Sequence, residues 1–256
     1  MKYKIEKNTV QETLIIPLYA RKVCSELYPN LYRDETAVRL IDEIDYDFSE
    51  AEKNSRGLMQ RFGSLEVAVR QNDLAFEVRD YLKSHPNAAV VNLGCGLDST
   101  GRSCDNGSCK IYNLDFPDVI AVRNELLPAG EREENIPCDL NNTEWFGKID
   151  SSNGAVFFAS GVFYYFLTEQ VKALVQGMAD AFPGGVLVFD AANRTAVKMI
   201  AKTWLKSAKI QDVGAYFAVS DAPQEISAWD SRLQVTSRGY MLGYTDLKDP
   251  SVSGFF

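Results

Sequence analysis

Two glycines, Gly94 and Gly96, interrupt the run Val90-Val-Asn-Leu-Gly-Cys-Gly-Leu-Asp98, and an acid, Asp115, closes the next apolar run, Lys110-Ile-Tyr-Asn-Leu-Asp115. Glycine lets a backbone turn pass close to a bound molecule because no Cβ stands in the way. A carboxylate about twenty residues beyond such a turn, at the end of a second strand, can accept hydrogen bonds from ribose hydroxyls. The pattern therefore points to a nucleoside ligand, either S-adenosylmethionine or a dinucleotide. A purely structural turn is the plain alternative. An acid at a strand end has no role in a core, and this argues against that alternative. Cys138-Asp-Leu140 brings another acid, Asp139, to the end of a third stretch. There a carboxylate can accept the adenine amino group and a neighbouring backbone NH can meet a ring nitrogen. Asp139 serves equally well as a helix cap for the residues after it.

A dinucleotide favours a third glycine, so that a helix N-terminus can carry the pyrophosphate. Ser99 takes that position, and Asp98 places a negative charge where phosphates would lie. The charge repels a pyrophosphate and suits the positively charged methionine end of S-adenosylmethionine. The residues favour the sulfonium cofactor over NAD.

Composition narrows the partners. The net charge is −8, and phosphate backbones need clustered Lys and Arg, so nucleic acid is disfavoured as a substrate and an anionic membrane surface fits poorly. No apolar run approaches a membrane span, and Met1-Lys-Tyr-Lys-Ile-Glu-Lys lacks the apolar core of a signal peptide. Five cysteines, an odd number without repeated spacing, suggest a reducing cytoplasm. Cys104 and Cys109 are close enough to suggest a metal pair. No second pair follows, and the single histidine is His85, so no metal site is expected.

The elements that would position these residues alternate regularly. Residues 1–60 lack strand-like alternation and read as mostly helical, with Asp34-Glu-Thr-Ala-Val-Arg-Leu-Ile41 starting like a capped helix. Leu65, Val69, Leu74, Val78, Tyr81 and Leu82 recur at helical spacing, and His85-Pro86-Asn87 ends that helix. Ala88–Leu93 reads as a buried strand and Ile111–Leu114 as a second, with Pro117 starting a helix. Asn135–Leu140 would end a third strand and Ala155–Ala159 form a fourth. A helix capped by Thr168 runs to about Phe182, Val186–Asp190 is a fifth strand, and a helix spans Asn193 to Lys206. Leu233–Leu242 suits a last strand, antiparallel to the rest. This rhythm predicts an α/β fold, a parallel sheet with helices on both faces. A helical cap over 1–62 precedes an α/β domain over 63–256.

With these residues placed, the chain resembles the leucine carboxyl methyltransferase family, in its bacterial branch of tetracenomycin-type polyketide O-methyltransferases. The likeness rests on Glu12–Arg21, Val90–Asp98, Leu114–Val119, Gly161–Phe166 and Phe182–Asp190, in family order. It implies a class I methyltransferase fold, Rossmann-like with a seven-stranded sheet, and S-adenosylmethionine as donor. It implies that Gly94 and Gly96 lie under the cofactor, that Asp115 and Phe116 hold its ribose side, and that Asp139 and Leu140 hold the adenine. Arg70 matches an arginine that pairs with the cofactor's carboxylate, and a solvated helix arginine is its plain reading. Arg21 or Lys22 matches a basic residue near the active site.

Two departures stand out. Ser160 replaces a family glutamate that faces the cofactor, and Leu97-Asp-Ser-Thr-Gly-Arg102 departs from the usual Asp-Thr-Arg after the glycine turn.

Methyl transfer is an in-line displacement that chiefly requires alignment of the accepting oxygen. A carboxylate acceptor needs no base, whereas a phenol benefits from one. His85, ahead of the first strand, reads as a loop or capping residue. The expected activity is O-methylation of a carboxylate or phenolic oxygen on a small molecule. The cap, through Tyr19, Arg21 and Tyr28, would cover the site together with Phe163, Tyr164 and Tyr165. Phe163 and Phe166 read better as core. Tyr164 and Arg21 are the candidate catalytic residues; Arg21 and Arg70 compete for substrate and cofactor, and the residues give no basis for choosing. Two rival functions are methylation of a protein C-terminal carboxylate and a catalytically silent S-adenosylmethionine-binding protein, for which Ser160 is the main support. Neither the acceptor nor the oligomeric state can be read from the residues.

Overall fold

The computed structural model describes residues 2–5, 14–55, 57–200 and 216–239. Its centre is a five-stranded, wholly parallel sheet. The strands are β3 (Ala89–Leu93), β4 (Lys110–Asp115), β5 (Glu133–Pro137), β6 (Ala155–Ala159) and β7 (Val186–Phe189), in the spatial order β5-β4-β3-β6-β7. The chain runs outward from β3 to β5, then returns to the other side of β3 for β6 and β7. The order thus reverses at β3, where a parallel sheet leaves a crevice beyond its carboxyl ends. Every residue of β3 and of β6 is buried, as expected of strands covered on both faces.

Alternate residues of the strands feed two cores. Val91, Leu93, Tyr112, Leu114 and Phe157 meet Val171, Leu174, Val175 and Met178 of α7 (Thr168–Ala181). Val90, Ile111, Val156 and Phe158 meet Leu74, Ala75, Val78 and Leu82 of α4 (Leu58–Ser84). Each large apolar side chain so buried contributes about 1.5–3 kcal/mol. The side-chain period of two along the strands and near 3.6 along the helices makes this division between faces possible.

The N-terminal helices are α1 (Ile15–Leu27), α2 (Glu35–Glu43) and α3 (Ser49–Ser55). Asp34 caps α2, its Oδ1 accepting from the Ala37 NH at 2.8 Å, as the sequence predicts. Cys24 and Tyr28 of the α1 end pack on Leu65, Ala68 and Val69 of α4. Leu14, Leu18, Leu40 and Ile41 pack on Val119, Val122 and Leu126 of α6 (Pro117–Leu126). The cap is therefore bolted to two helices of the sheet layer, and α4 runs without a break through residues 62 and 63.

Several expectations are corrected. The third strand ends at Pro137, not Leu140, because Asp139 already turns the chain. Leu167, not Thr168, is the cap of α7; its NH is met at 2.8 Å by the Gln170 side chain. The N-terminal region holds one short parallel pair, β1 (Tyr3–Lys4) with β2 (Ile44–Asp45), too short for alternation to reveal. Residues 233–239 form no strand, and 240–242 lie outside the described residues, so five strands of the expected seven-stranded sheet are described. The helix expected over Asn193–Lys206 is described as α8 (Arg194–Ile200), with 201–206 outside the described residues. A short helix, α9 (Ala222–Ser227), is an addition to the expected elements.

Candidate cofactor and active site

A cleft of about 460 Å³ opens where the strand order reverses, beyond the carboxyl ends of β3, β4 and β6. Gly94 and Gly96 form its floor with positive φ angles of 67° and 47°. A Cβ at Gly94 would lie 2.6 Å from Val162 Cγ2, so the turn after β6 can rest directly on the glycine backbone.

Asp115 faces the cleft at the end of β4. Its Oδ2 accepts from the Gly96 NH and its Oδ1 from the Phe116 NH, each at 2.8 Å. The acid thus clamps the glycine turn and retains lone pairs for a diol. Burial pushes its pKa up, and the hydrogen bonds from Gly96 and Phe116 and the charge of Arg123 do not cancel that push. The carboxylate is the accepting form, so hydrogen bonds that it would take from a diol are complete above the folded pKa and lost as pH falls through it. We expect S-adenosylhomocysteine affinity to decline at a higher pH than an ordinary aspartate would set. Calorimetry from about pH 7.5 to 4.5 tests this, because Asp115→Asn should bind more weakly and without that dependence.

Phe116, 41% exposed, presents its ring at the cleft, and Leu140 and Cys138 line the same end. Burial pushes the Cys138 thiol up to about 12, which leaves it neutral. Asp139 does not line the cleft. It is exposed, and its Oδ1 accepts from the Asn141 backbone NH and side-chain amide at 2.9 Å each. Its plain reading as a local cap describes these contacts, and Asn141 reaches the cleft in its place.

Arg21 lines the cleft, yet its guanidinium is turned into the protein and is 3% exposed. It donates to Asp34 Oδ2 at 3.0 Å, to Asp98 Oδ1 at 3.5 Å and to Leu97 O at 3.0 Å. Burial opposes its charge, and Tyr32, Asp34 and Asp98 outweigh that penalty, so its pKa is raised. Asp98 is correspondingly saturated. Asn92 donates to its Oδ2 at 3.1 Å, and the Thr100 NH and hydroxyl reach its Oδ1 at 2.8 and 2.7 Å. The negative charge expected at the turn is thus held inside an ion-pair network.

Arg70 reaches the cleft from α4 and pairs with Asp190 at 3.1 Å. Ser160, at the end of β6, also lines it, and its buried Oγ has no hydrogen-bond partner among the described residues. Tyr164 is buried at the cleft wall, and its carbonyl accepts from the Tyr216 NH at 2.7 Å. Tyr165 and Phe166 line the same wall, whereas Phe163 is core. The cap contributes Leu14, Ile16 and Pro17. Tyr19 instead stacks on Phe48, and fully buried Tyr28 receives Arg61, so neither lines the cleft. His85 is an exposed helix-capping residue stacked on Tyr81. Arg102 pairs with Glu133 outside the cleft and takes no part in it.

Three contributors escape a reading of the sequence. Arg123, 1% exposed on α6, donates to Gly96 O at 2.9 Å and Asp98 O at 2.7 Å, holding the glycine turn from behind. Gln71 lines the cleft and meets the Thr100 hydroxyl at 2.8 Å. Asp190 follows β7 directly, much as Asp115 closes β4, and an acid after an apolar run is a legible signal. Among the described residues no group of three His, Cys, Asp or Glu is placed to hold a metal, and no helix is long and apolar enough to cross a membrane.

The helix that follows the glycine turn, α5 (Thr100–Ser103), is only four residues long, so it presents little dipole to a pyrophosphate. Among folds with this sheet, that arrangement suits a sulfonium nucleoside rather than a dinucleotide. The class so defined is the S-adenosylmethionine-dependent methyltransferases of Rossmann-like fold. Within it, the profile of the leucine carboxyl methyltransferase family matches residues 16–179, well over half of the chain, and the chain belongs to that family.

Over 183 residues it is 28% identical to the tetracenomycin polyketide synthesis O-methyltransferase TcmP of Streptomyces glaucescens. That alignment covers 71% of this chain and 66% of TcmP, just under two thirds of the relative's length. It is 25% identical over 258 residues to the S-adenosyl-L-methionine-dependent methyltransferase dpfgK of Gibberella zeae, covering 94% of this chain and 85% of that one. A DUF574 family protein from Streptomyces avermitilis superposes with a TM-score of 0.54 at 12% identity, covering 80% of each chain. A Thermobifida fusca protein provisionally described as a methyltransferase gives 0.52 at 19%, covering 82% of this chain and 78% of that one. At these identities the two structures speak to fold alone.

Proposed function

We propose that this chain is an S-adenosylmethionine-dependent O-methyltransferase that methylates a carboxylate or phenolic oxygen of a small molecule in the cytoplasm. The observation that carries this reading is one continuous cleft with a nucleoside-type floor (Gly94, Gly96, Asp115, Phe116, Leu140) and an apolar, aromatic wall (Leu14, Pro17, Tyr164, Tyr165, Phe166). The chain's residues fit the cofactor. Gly94 and Gly96 turn through positive φ on the cleft floor, and the Ser160 hydroxyl is buried on the cleft with no hydrogen-bond partner among the described residues.

When bound, the cofactor supplies an electrophilic methyl group. Asp115 accepts the ribose hydroxyls, Phe116 and Leu140 flank the base, and Arg70 takes the carboxylate. Arg21 has its donors committed to Asp34, Asp98 and Leu97, so it serves the architecture of the turn rather than a ligand. Tyr164 and its aromatic neighbours exclude water and orient the acceptor ring, and alignment supplies most of the rate. The five cysteines are free thiols, which suits a reducing compartment.

Calorimetric titration with S-adenosylmethionine, S-adenosylhomocysteine and NAD tests the cofactor. Micromolar binding of the first two and none of NAD is expected, and NAD binding alone would overturn the reading. Turnover on a panel of aromatic carboxylic acids and phenols then tests the acceptor. Tight cofactor binding with no methylated product across that panel would favour the silent-binder alternative that Ser160 raises.

A further inference from the structure

Asp190 directly follows β7, one residue beyond the strand end at Phe189, is 8% exposed and makes two directional contacts. Its Oδ1 accepts from the Gly161 NH at 2.6 Å, and its Oδ2 accepts from Arg70 Nη1 at 3.1 Å. Gly161 has a φ of 70°, and a Cβ there would stand 2.9 Å from Arg70 Nη2. The guanidinium therefore lies directly over the Gly161 backbone, with one edge held by Asp190 and with cleft space beside it. Three elements meet at this point: α4 through Arg70, the turn after β6 through Gly161, and the end of β7 through Asp190. Ser160, whose buried hydroxyl has no hydrogen-bond partner among the described residues, is the residue before Gly161.

An arginine on an exposed helix face samples many rotamers, and ordering it on binding costs free energy. A buried carboxylate that already holds one edge of the fork removes most of that cost and fixes the direction of the guanidinium plane. The same carboxylate pins the Gly161 NH, so the turn that carries Ser160 cannot drift relative to the guanidinium. Such a supporting shell fits a site that must recognise a small charged group with defined geometry.

Resting on the methyltransferase reading above, we propose that Asp190 is a positioning residue. It presets Arg70 and the Ser160–Gly161 turn as a joint subsite for the amino-acid end of the cofactor. Arg70 meets the carboxylate, and the Ser160 hydroxyl supplies a further hydrogen bond. Asp190 itself does not touch the cofactor.

The test compares two thioethers on the intact chain. S-adenosylhomocysteine carries the amino-acid end; 5′-methylthioadenosine shares the adenosine and the sulfur and lacks that end. Loss of a group that orients a ligating side chain costs about 10–100-fold in comparable supporting shells. Asp190→Asn is therefore expected to weaken S-adenosylhomocysteine by that factor and to leave methylthioadenosine within about twofold. Ser160→Ala should show the same selectivity with a smaller loss. Equal weakening of both ligands by Asp190→Asn would mark a general structural role and overturn the proposal, as would no weakening of either. Asp190→Glu, which keeps the charge, guards against misfolding. It should retain more discrimination between the two ligands than Asp190→Asn, and equal discrimination in the two variants would count against positioning by charge. If the unmodified protein binds neither thioether, the cofactor reading itself fails, a result distinct from any of these.

Discussion

Replacing Asp115 with alanine should reduce S-adenosylmethionine affinity by at least about a hundredfold while leaving the fold intact. Hydrogen bonds to a charged acceptor are worth about 1.5–3 kcal/mol each, and a ribose diol offers two. Since 1.4 kcal/mol is a factor of ten, their joint loss corresponds to roughly 10²–10⁴ in dissociation constant. Asp115 also joins the Gly96 and Phe116 NH groups, so its removal loosens the glycine floor of the cleft. Stability should change little, because burial disfavours this carboxylate in the folded state and its removal relieves that penalty. Titration calorimetry with circular dichroism checks both halves. A variant that binds the cofactor normally would show that the nucleoside lies elsewhere.

The second large effect is on stability. Arg21→Met should lower Tm by roughly 10 °C, because removing one member of a buried ion pair costs about 3–5 kcal/mol and a chain of this size loses about 2–4 °C per kcal/mol. The variant leaves Asp34 and Asp98 without their shared cation and Leu97 O without its donor. It also severs the link between α1, the start of α2 and the glycine turn. Arg21→Lys should recover only part of the loss, since an ammonium group cannot bridge three acceptors in a planar fork. Differential scanning calorimetry reads the effect. A variant with unchanged Tm and a loss confined to substrate affinity would restore Arg21 to the acceptor site.

These two residues differ in how much of their surroundings the sequence reveals. Asp115 is legible because its signal is local: an acid closing an apolar run, at a set distance from a glycine turn. Gly94, Gly96, the parallel strands and the cap on Asp34 belong to the same kind, since each follows from periodicity or from the conformational demands of a few neighbouring residues. Arg21 looks like a ligand because a basic residue near an expected site has no local feature to say otherwise. Its partners lie 13 and 77 positions away, and only the docking of the cap brings them together.

Asp139 is the opposite case: it is an acid at the expected height whose Oδ1 accepts from its neighbour Asn141, and Asn141 lines the cleft in its place. Asp190 has the same local signature as Asp115, yet its meaning depends on Arg70, 120 positions earlier on a helix from another layer. The sheet, its switch point and the glycine floor of the cleft are written in the order of residues, because hydrophobic period and glycine geometry act over short distances. Which charges face the cleft and which neutralise one another is set by packing, because a buried charge is assigned by whichever distant partner the fold places beside it.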